Sequence, residues 1–323
     1  MTTPPVRRLR RLVMIILLVG VAPLIMIPFG IGFIGVSALV RPPCGEWRTP
    51  ALYDLPFEDV RIPTRGGGEY RAFFIPGNPS QRDSGRNKTT IVIPPPFAAG
   101  RDGMLAEAQL LVRAGYTVLL YESRACAGKP LSLGYRDGED IGDAIAYLKG
   151  RGMDTTRLAL HGFSSAGAAS TMAMVHYPEV RGAVAEGGYH NLDEIMGFDG
   201  QPANPLEALM EAGMAFAYRF HTGDDSSVLN PIGALDKIPP RGLFLVYGER
   251  EVTLVGARRQ LARLQAANPS NAAAIALWVV PGADHGGYVG AVGEAVFSRE
   301  MIAFYDCVLL ERCEAWKARW ETP

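Results

Sequence analysis

The sequence predicts an α/β domain on a mostly parallel, doubly wound sheet, preceded by one transmembrane helix. Three observations carry this. Short apolar strands alternate with helix-length segments through most of the chain. At residues 156–169 a strand runs through a tight turn into a small-residue helix, with serine at the apex. An uncharged apolar run extends from Leu12 to Val40. The elements then follow in order. A hairpin is expected at Phe57–Pro63 and Tyr70–Pro76 around Gly66-Gly67-Gly68, then a strand at Thr89–Ile93 and a helix near Met104–Ala114. A strand at Thr117–Glu122 and a helix at Glu139–Lys149 lead to the strand Thr156–His161. Further strands are expected at Gly182–Glu186, Gly242–Gly248 and Ala274–Val280, with a helical insertion at Tyr189–Leu235. The chain has 323 residues, 48% of them hydrophobic, and carries 32 Lys and Arg against 33 Asp and Glu. That length and apolar content suffice for one large core, and the near-zero charge provides no global field suited to nucleic acid.

The segment Leu158-Ala159-Leu160-His161-Gly162-Phe163-Ser164-Ser165-Ala166-Gly167 concentrates the chemistry. A serine on a sharp strand-to-helix turn projects its hydroxyl clear of the sheet, and Gly162, Ala166 and Gly167 are small enough to let strand and helix approach. On the spacing G-x-S-x-G, Ser164 is the candidate nucleophile and Ala166 occupies the second glycine position. Choosing Ser165 instead would put Phe163 in the first glycine position. Of five histidines, His161 lies at the strand end, His176 on the following helix, and His190 and His221 in the insertion. His285, in the turn Pro281-Gly282-Ala283-Asp284-His285-Gly286-Gly287-Tyr288, follows the last strand and is the candidate base.

These segments, in this order, resemble the α/β-hydrolase superfamily, in particular its serine-aminopeptidase-like or abhydrolase branch, from about Leu55 to about Leu310. The turn Ser123-Arg124-Ala125-Cys126-Ala127-Gly128 stands where the family often has Arg-Gly-x-Gly. The resemblance implies an acid between serine and histidine in the chain, at the end of the strand Gly242–Gly248. Glu251 occupies that slot, Glu249 is its close rival, and Glu186 is a second alternative because some relatives draw the acid from the preceding strand. It also implies an oxyanion hole from the N–H of Ser165 and one N–H in the loop after Thr89–Ile93. Pro94-Pro95-Pro96 lack N–H groups, so Phe97 is the first residue there able to donate. The implied activity is hydrolysis of ester, thioester or amide bonds through an acyl-enzyme, on a small-molecule or lipid-like acyl substrate, without metal or organic cofactor. The insertion, whose helix Pro205–Tyr218 is apolar and Met-bearing, matches the family's helical cap. Ala166, Glu251 and the prolines depart from the family pattern and keep an alternative open: a catalytically inactive fold serving as a binding or assembly subunit at a membrane.

Domain boundaries follow from the N-terminus. Arg7, Arg8, Arg10 and Arg11 make residues 1–11 a basic tail, residues 12–40 form one span, and residues 41–323 form the hydrolase domain. About 20 apolar residues cross a bilayer once, and two crossings would need about 40. The arginines place the N-terminus in the cytoplasm and the hydrolase domain outside it. Val36-Ser37-Ala38 offers a signal-cleavage site instead, although the apolar run is much longer than a signal peptide's core. Gly30-Ile31-Gly32-Phe33-Ile34-Gly35 spells G-x-G-x-x-G within this run, without the strand and helix a dinucleotide site requires. Cys44, Cys126, Cys307 and Cys313 lack zinc-site spacing. Placing Cys307 and Cys313 on one helix separates them by about 9 Å of rise, so Cys44 is expected to pair with one of them and Cys126 to be a small buried residue.

Overall fold

Apolar runs rich in Val, Ile and Leu build six strands of an eight-stranded sheet, and the more polar hairpin strands add its edge. The computed structural model describes residues 4–78, 80, 84–196, 202–268 and 274–320. Its strands are β1 (Glu58–Pro63), β2 (Glu69–Ile75), β3 (Thr90–Ile93), β4 (Thr117–Tyr121), β5 (Leu158–Phe163), β6 (Val180–Glu186), β7 (Gly242–Gly248) and β8 (Ile275–Val280). They lie in the order β1-β2-β4-β3-β5-β6-β7-β8. The hairpin pairs antiparallel and β2 joins β4 antiparallel, whereas every other pairing is parallel. The central strands β3, β4, β6 and β7 are buried along their length except for Arg181. This is the continuous apolar signature of a sheet covered on both faces.

The covering helices are α3 (Leu105–Arg113), α4 (Asp137–Gly150), α5 (Ser165–His176), α8 (Leu254–Ala267), α9 (Tyr288–Val292), α10 (Glu294–Leu310) and α11 (Glu314–Trp320). Side chains of β7 show how alternation feeds two cores. Phe244 and Val246 enter a layer with Trp278, Phe297, Phe304 and Trp316, while Leu243, Leu245 and Tyr247 enter one with Ile141, Leu148 and Leu264. Trp316, fully buried from the C-terminal helix, meets Phe244 edge-on at 5.0 Å between ring centroids.

The chain divides into two compact units. Pro42–Asn191 with Leu229–Pro323 makes the sheet domain, and Met1–Arg41 with Leu192–Val228 makes the other. In the second unit the apolar run is helical: α1 (Pro4–Ile15), a π-helical stretch at Ile16–Val21, and α2 (Ala22–Val40). Together, Val6–Val40 is long and apolar enough to cross a membrane. The insertion supplies α6 (Leu192–Met196) and α7 (Pro205–Thr222), four residues longer at its C-terminal end than expected; residues 197–201 of the insertion and 81–83 of the sheet domain lie outside the described residues. Asn204 caps α7 by accepting from the N–H groups of Leu206 and Glu207, both at 3.0 Å.

The cysteine pairing differs from expectation. Cys307 bonds Cys313, with Cα atoms 4.2 Å apart, and Cys44 bonds Cys126. The reason is that α10 stops at Leu310 and Glu311 adopts φ 58°, so the chain doubles back and cancels the helical rise.

Trp316→Ala would leave a large cavity between β7 and the C-terminal helices. Such truncations cost about 3–5 kcal/mol, and chemical denaturation of the two proteins is the measurement.

Candidate active site

Parallel strands deliver their C-terminal ends, and the loops beyond them, to one edge of the sheet. Ser164 stands there between β5 and α5 with φ 57° and ψ −124°, a region that L-residues rarely occupy. Its N–H donates to the Glu186 carbonyl at 2.7 Å, and its carbonyl accepts from Gly167 at 3.0 Å. The small neighbours are required sterically. A Cβ at Gly162 would lie 2.2 Å from the Ala166 carbonyl oxygen, whereas Ala166 itself fits in the packed turn, 1% exposed.

The structure brings three of the expected side chains together. His285 Nε2 lies 3.0 Å from Ser164 Oγ, and His285 Nδ1 lies 2.5 Å from Glu251 Oε1. The Phe163 ring packs against His285, 4.8 Å from the imidazole between centroids. The two rival acids are engaged elsewhere. Glu249 accepts from the Gly282 N–H at 2.8 Å, and Glu186 contacts His161 Nε2 at 2.7 Å in the buried interior. His161 Nδ1 in turn meets the Tyr305 hydroxyl at 2.9 Å, so this histidine is a satisfied core residue.

Glu251 is almost fully buried, and three further donors converge on it. Tyr288 donates to Oε2 at 2.7 Å, the Gly248 N–H to the same oxygen at 2.7 Å, and the Thr253 hydroxyl to Oε1 at 3.1 Å. Burial alone would push this carboxyl's pKa up. The hydrogen bonds from His285, Tyr288 and Gly248 outweigh it and hold the group below the ordinary carboxylate value. Tyr288 is driven the opposite way, by burial and then by its bond to Glu251, so its phenol stays protonated and remains a donor.

Gly187, at φ 56°, makes room for this cluster. A Cβ there would come within 2.8 Å of Glu251 Oε1 and 2.9 Å of both His285 and the Tyr288 hydroxyl. Neither Gly187 nor Tyr288 is singled out by the sequence, although Tyr288 follows His285 by three residues.

The expected oxyanion donors have compatible surroundings. Ser165 is the first residue of α5, where helix N–H groups have no intrahelical acceptor. Phe97 is the second residue of a turn closed by Ala99 N–H to the Pro96 carbonyl at 3.0 Å, with Ala98 at φ 54°. Among the described residues neither N–H has a hydrogen-bond acceptor.

By sequence, no family model and no curated protein matches this chain. Solved structures do. The Pyrococcus furiosus esterase Pf2001 superposes with a TM-score of 0.60 at 20% identity, covering 88% of this chain and 100% of that one. A Mycobacterium tuberculosis puromycin-hydrolyzing peptidase covers 82% of this chain and 42% of its own, at 17% identity and a TM-score of 0.59. The α/β hydrolase GrgF from Penicillium sp. sh18 covers 79% and 100%, at 17% identity and a TM-score of 0.54.

Tyr288→Phe tests the charge balance at Glu251. A carboxylate whose folded pKa is depressed contributes stability above its unfolded pKa and loses it as pH falls through the folded value. Removing one donor raises the folded pKa, so acid unfolding followed by circular dichroism should begin at a higher pH than in the native chain. A hydrogen bond to a charged group contributes about 1.5–3 kcal/mol, which sets the expected neutral-pH loss. The strand order, the parallel pairing and the structural likenesses together establish that the chain has the α/β-hydrolase fold.

Proposed function

We propose that this chain is a membrane-anchored serine hydrolase that cleaves ester, thioester or amide bonds through an acyl-enzyme. The observation that carries the reading is the unbroken relay from Glu251 through His285 to Ser164. Ser164 Oγ attacks the carbonyl carbon while His285 Nε2 takes its proton, and Glu251 holds the Nδ1–H so that Nε2 is the accepting nitrogen. The N–H groups of Ser165 and Phe97 stabilise the oxyanion. The tetrahedral intermediate collapses, His285 returns the proton to the leaving group, and the acyl-enzyme remains. Water, deprotonated by His285, then releases the acid and regenerates the serine.

Exposed apolar side chains near these residues support a lipid-like acyl group. Phe97 is 39% exposed, and Val252, beside Glu251, is 89% exposed. The likenesses to the P. furiosus esterase and to the M. tuberculosis peptidase agree with ester and amide bonds alike. The helix Val6–Val40, whose first residues include four arginines ahead of the uncharged run from Leu12, supports an anchor with a cytoplasmic N-terminus. Both disulfides agree with a hydrolase domain in an oxidising compartment outside the cytoplasm.

Ser164→Ala and His285→Ala should each lower hydrolysis of a p-nitrophenyl ester by roughly 10⁴-fold or more, because such residues act as a unit. Ser164→Ala should also abolish fluorophosphonate labelling. Glu251→Gln should lose far more activity than Glu249→Gln or Glu186→Gln. Normal labelling of the Ser164→Ala protein would remove that serine from the mechanism, and no labelling of the native chain would favour the non-catalytic alternative.

For the anchor, a reporter active only outside the cytoplasm should work when fused after the last residue, and the protein should remain with membranes through a high-salt wash. Release by salt would indicate a peripheral, charge-bound protein. A soluble chain beginning at Leu39 would identify a cleaved signal instead.

A further inference from the structure

The proposed oxyanion loop, Pro94–Asp102, is gripped by a segment far from it in sequence. Gly45, Glu46, Trp47 and Arg48, which follow the apolar helix, each contact the loop, and Cys44 ties their segment to the sheet domain. Cys44 is bonded to Cys126, and Gly45 bridges to Ala99 as a short parallel pair. The two backbones are close enough that a Cβ at Gly100 would lie 2.8 Å from the Gly45 carbonyl oxygen. Glu46 forms a two-pronged ion pair with Arg101, Nε to Oε2 and Nη2 to Oε1, both at 2.7 Å. The N–H groups of Trp47 and Arg48 donate to Asp102 Oδ2 at 3.0 and 3.1 Å.

Arg101 and Asp102 are 5% and 4% exposed, so these are buried contacts rather than surface pairs. Arg101 is further fixed by Asp59 at 2.7 Å and by stacking on Phe73, 3.8 Å from the ring centroid. On its other side the loop is held by the Ser123 N–H donating to the Ala99 carbonyl at 3.1 Å. Between these fixed points and the prolines lie Phe97 and Ala98. Ala98 has a left-handed backbone, which disfavours a residue with a Cβ by roughly 1–2 kcal/mol. Such a conformation persists only where its surroundings over-determine it.

We propose that residues 44–48 are a positioning element that holds the Phe97 N–H in its oxyanion-binding orientation, so that the chain just beyond the apolar helix completes the active site. No group in this segment touches substrate; it acts through Ala99, Arg101 and Asp102. The proposal rests on the serine-hydrolase reading, and in particular on Phe97 as an oxyanion donor. It requires the loss on disruption to fall on the transition state and not on ground-state binding.

The test compares the full-length native protein with Cys44→Ala/Cys126→Ala and with Glu46→Gln, which retains both disulfides and serves if the first fails to fold. Active sites are counted by fluorophosphonate titration, and kcat and KM are measured with p-nitrophenyl butyrate. The affinity of a trifluoromethyl ketone, whose hemiketal oxyanion mimics the tetrahedral intermediate, is measured in parallel. The expected result is a loss in kcat of about 10-fold or more per active site, approaching the roughly 10²-fold seen when an oxyanion donor is removed. KM should stay within about twofold, and trifluoromethyl ketone affinity should fall by the same factor as kcat. Unchanged kcat and ketone affinity in the folded variants would overturn the proposal while leaving the hydrolase reading intact. So would a loss confined to Tm, to KM or to the fraction of active protein. A native protein that neither labels nor turns over would overturn both.

Discussion

The backbone at Ser164 is the constraint around which the sheet domain is arranged. At φ 57° and ψ −124° the residue sits in a conformation that its own Cβ opposes, and the strain is of order 1–3 kcal/mol. Neighbours on three elements hold it there. β6 supplies the Glu186 carbonyl that receives its N–H, α5 begins one residue later, and Gly162 on β5 gives the Ala166 carbonyl room to pass. The same Glu186 places its carboxylate on His161, which is tied to Tyr305 of α10. Residue 186 therefore links the strained turn to a helix on one face of the sheet through both its backbone and its side chain.

A buried carboxylate is the second feature of the site, and on the proposed mechanism it has to remain ionised. Taking Glu251 out of water disfavours its charge; a tyrosine hydroxyl, a backbone N–H and the imidazole reverse the balance. The length of the glutamate side chain suits this arrangement. Its carboxylate folds back to the Gly248 N–H at the end of β7 while reaching His285 with the other oxygen. The extra methylene is used to span those two partners.

Most of the sheet was legible because its signals are local. Apolar runs such as Gly242–Gly248 begin and end where the sequence predicts, and the Gly162-Phe163-Ser164 turn declares itself through residue size. Ser164, His285 and Glu251 were legible through chain order and resemblance, yet sequence alone left Glu249 and Glu186 standing. Only the directions of the side chains separate them, Glu249 turning to Gly282 and Glu186 to His161. Tyr288 and Gly187 were not legible, since each matters through contacts across separate loops. The cysteines misled for a related reason. The rise of about 9 Å between Cys307 and Cys313 holds only for a continuous helix, and Glu311 ends that helix between them.

The apolar, Met-bearing helix of the insertion packs with the N-terminal helix within one compact unit. Glycine permits the approach: a Cβ at Gly32 would lie 2.1 Å from the Met210 carbonyl oxygen, and one at Gly213 would lie 2.0 Å from that of Phe29. Phe33 packs beside Phe216 and Phe220, and His221 meets Ser37 at 2.9 Å. Length supplies a reason for the pairing. The apolar run Leu12–Val40, at 1.5 Å per residue, extends about 43 Å, while the hydrocarbon core is about 30 Å thick. On the proposed topology an upright helix carries a long apolar stretch beyond the bilayer. α7 covers the Phe29–Ser37 side of that stretch, burying Gly32 and Val36. The N-terminal helix thus partners part of the apolar face of α7, while Phe216 and Phe220 stay 53% and 66% exposed.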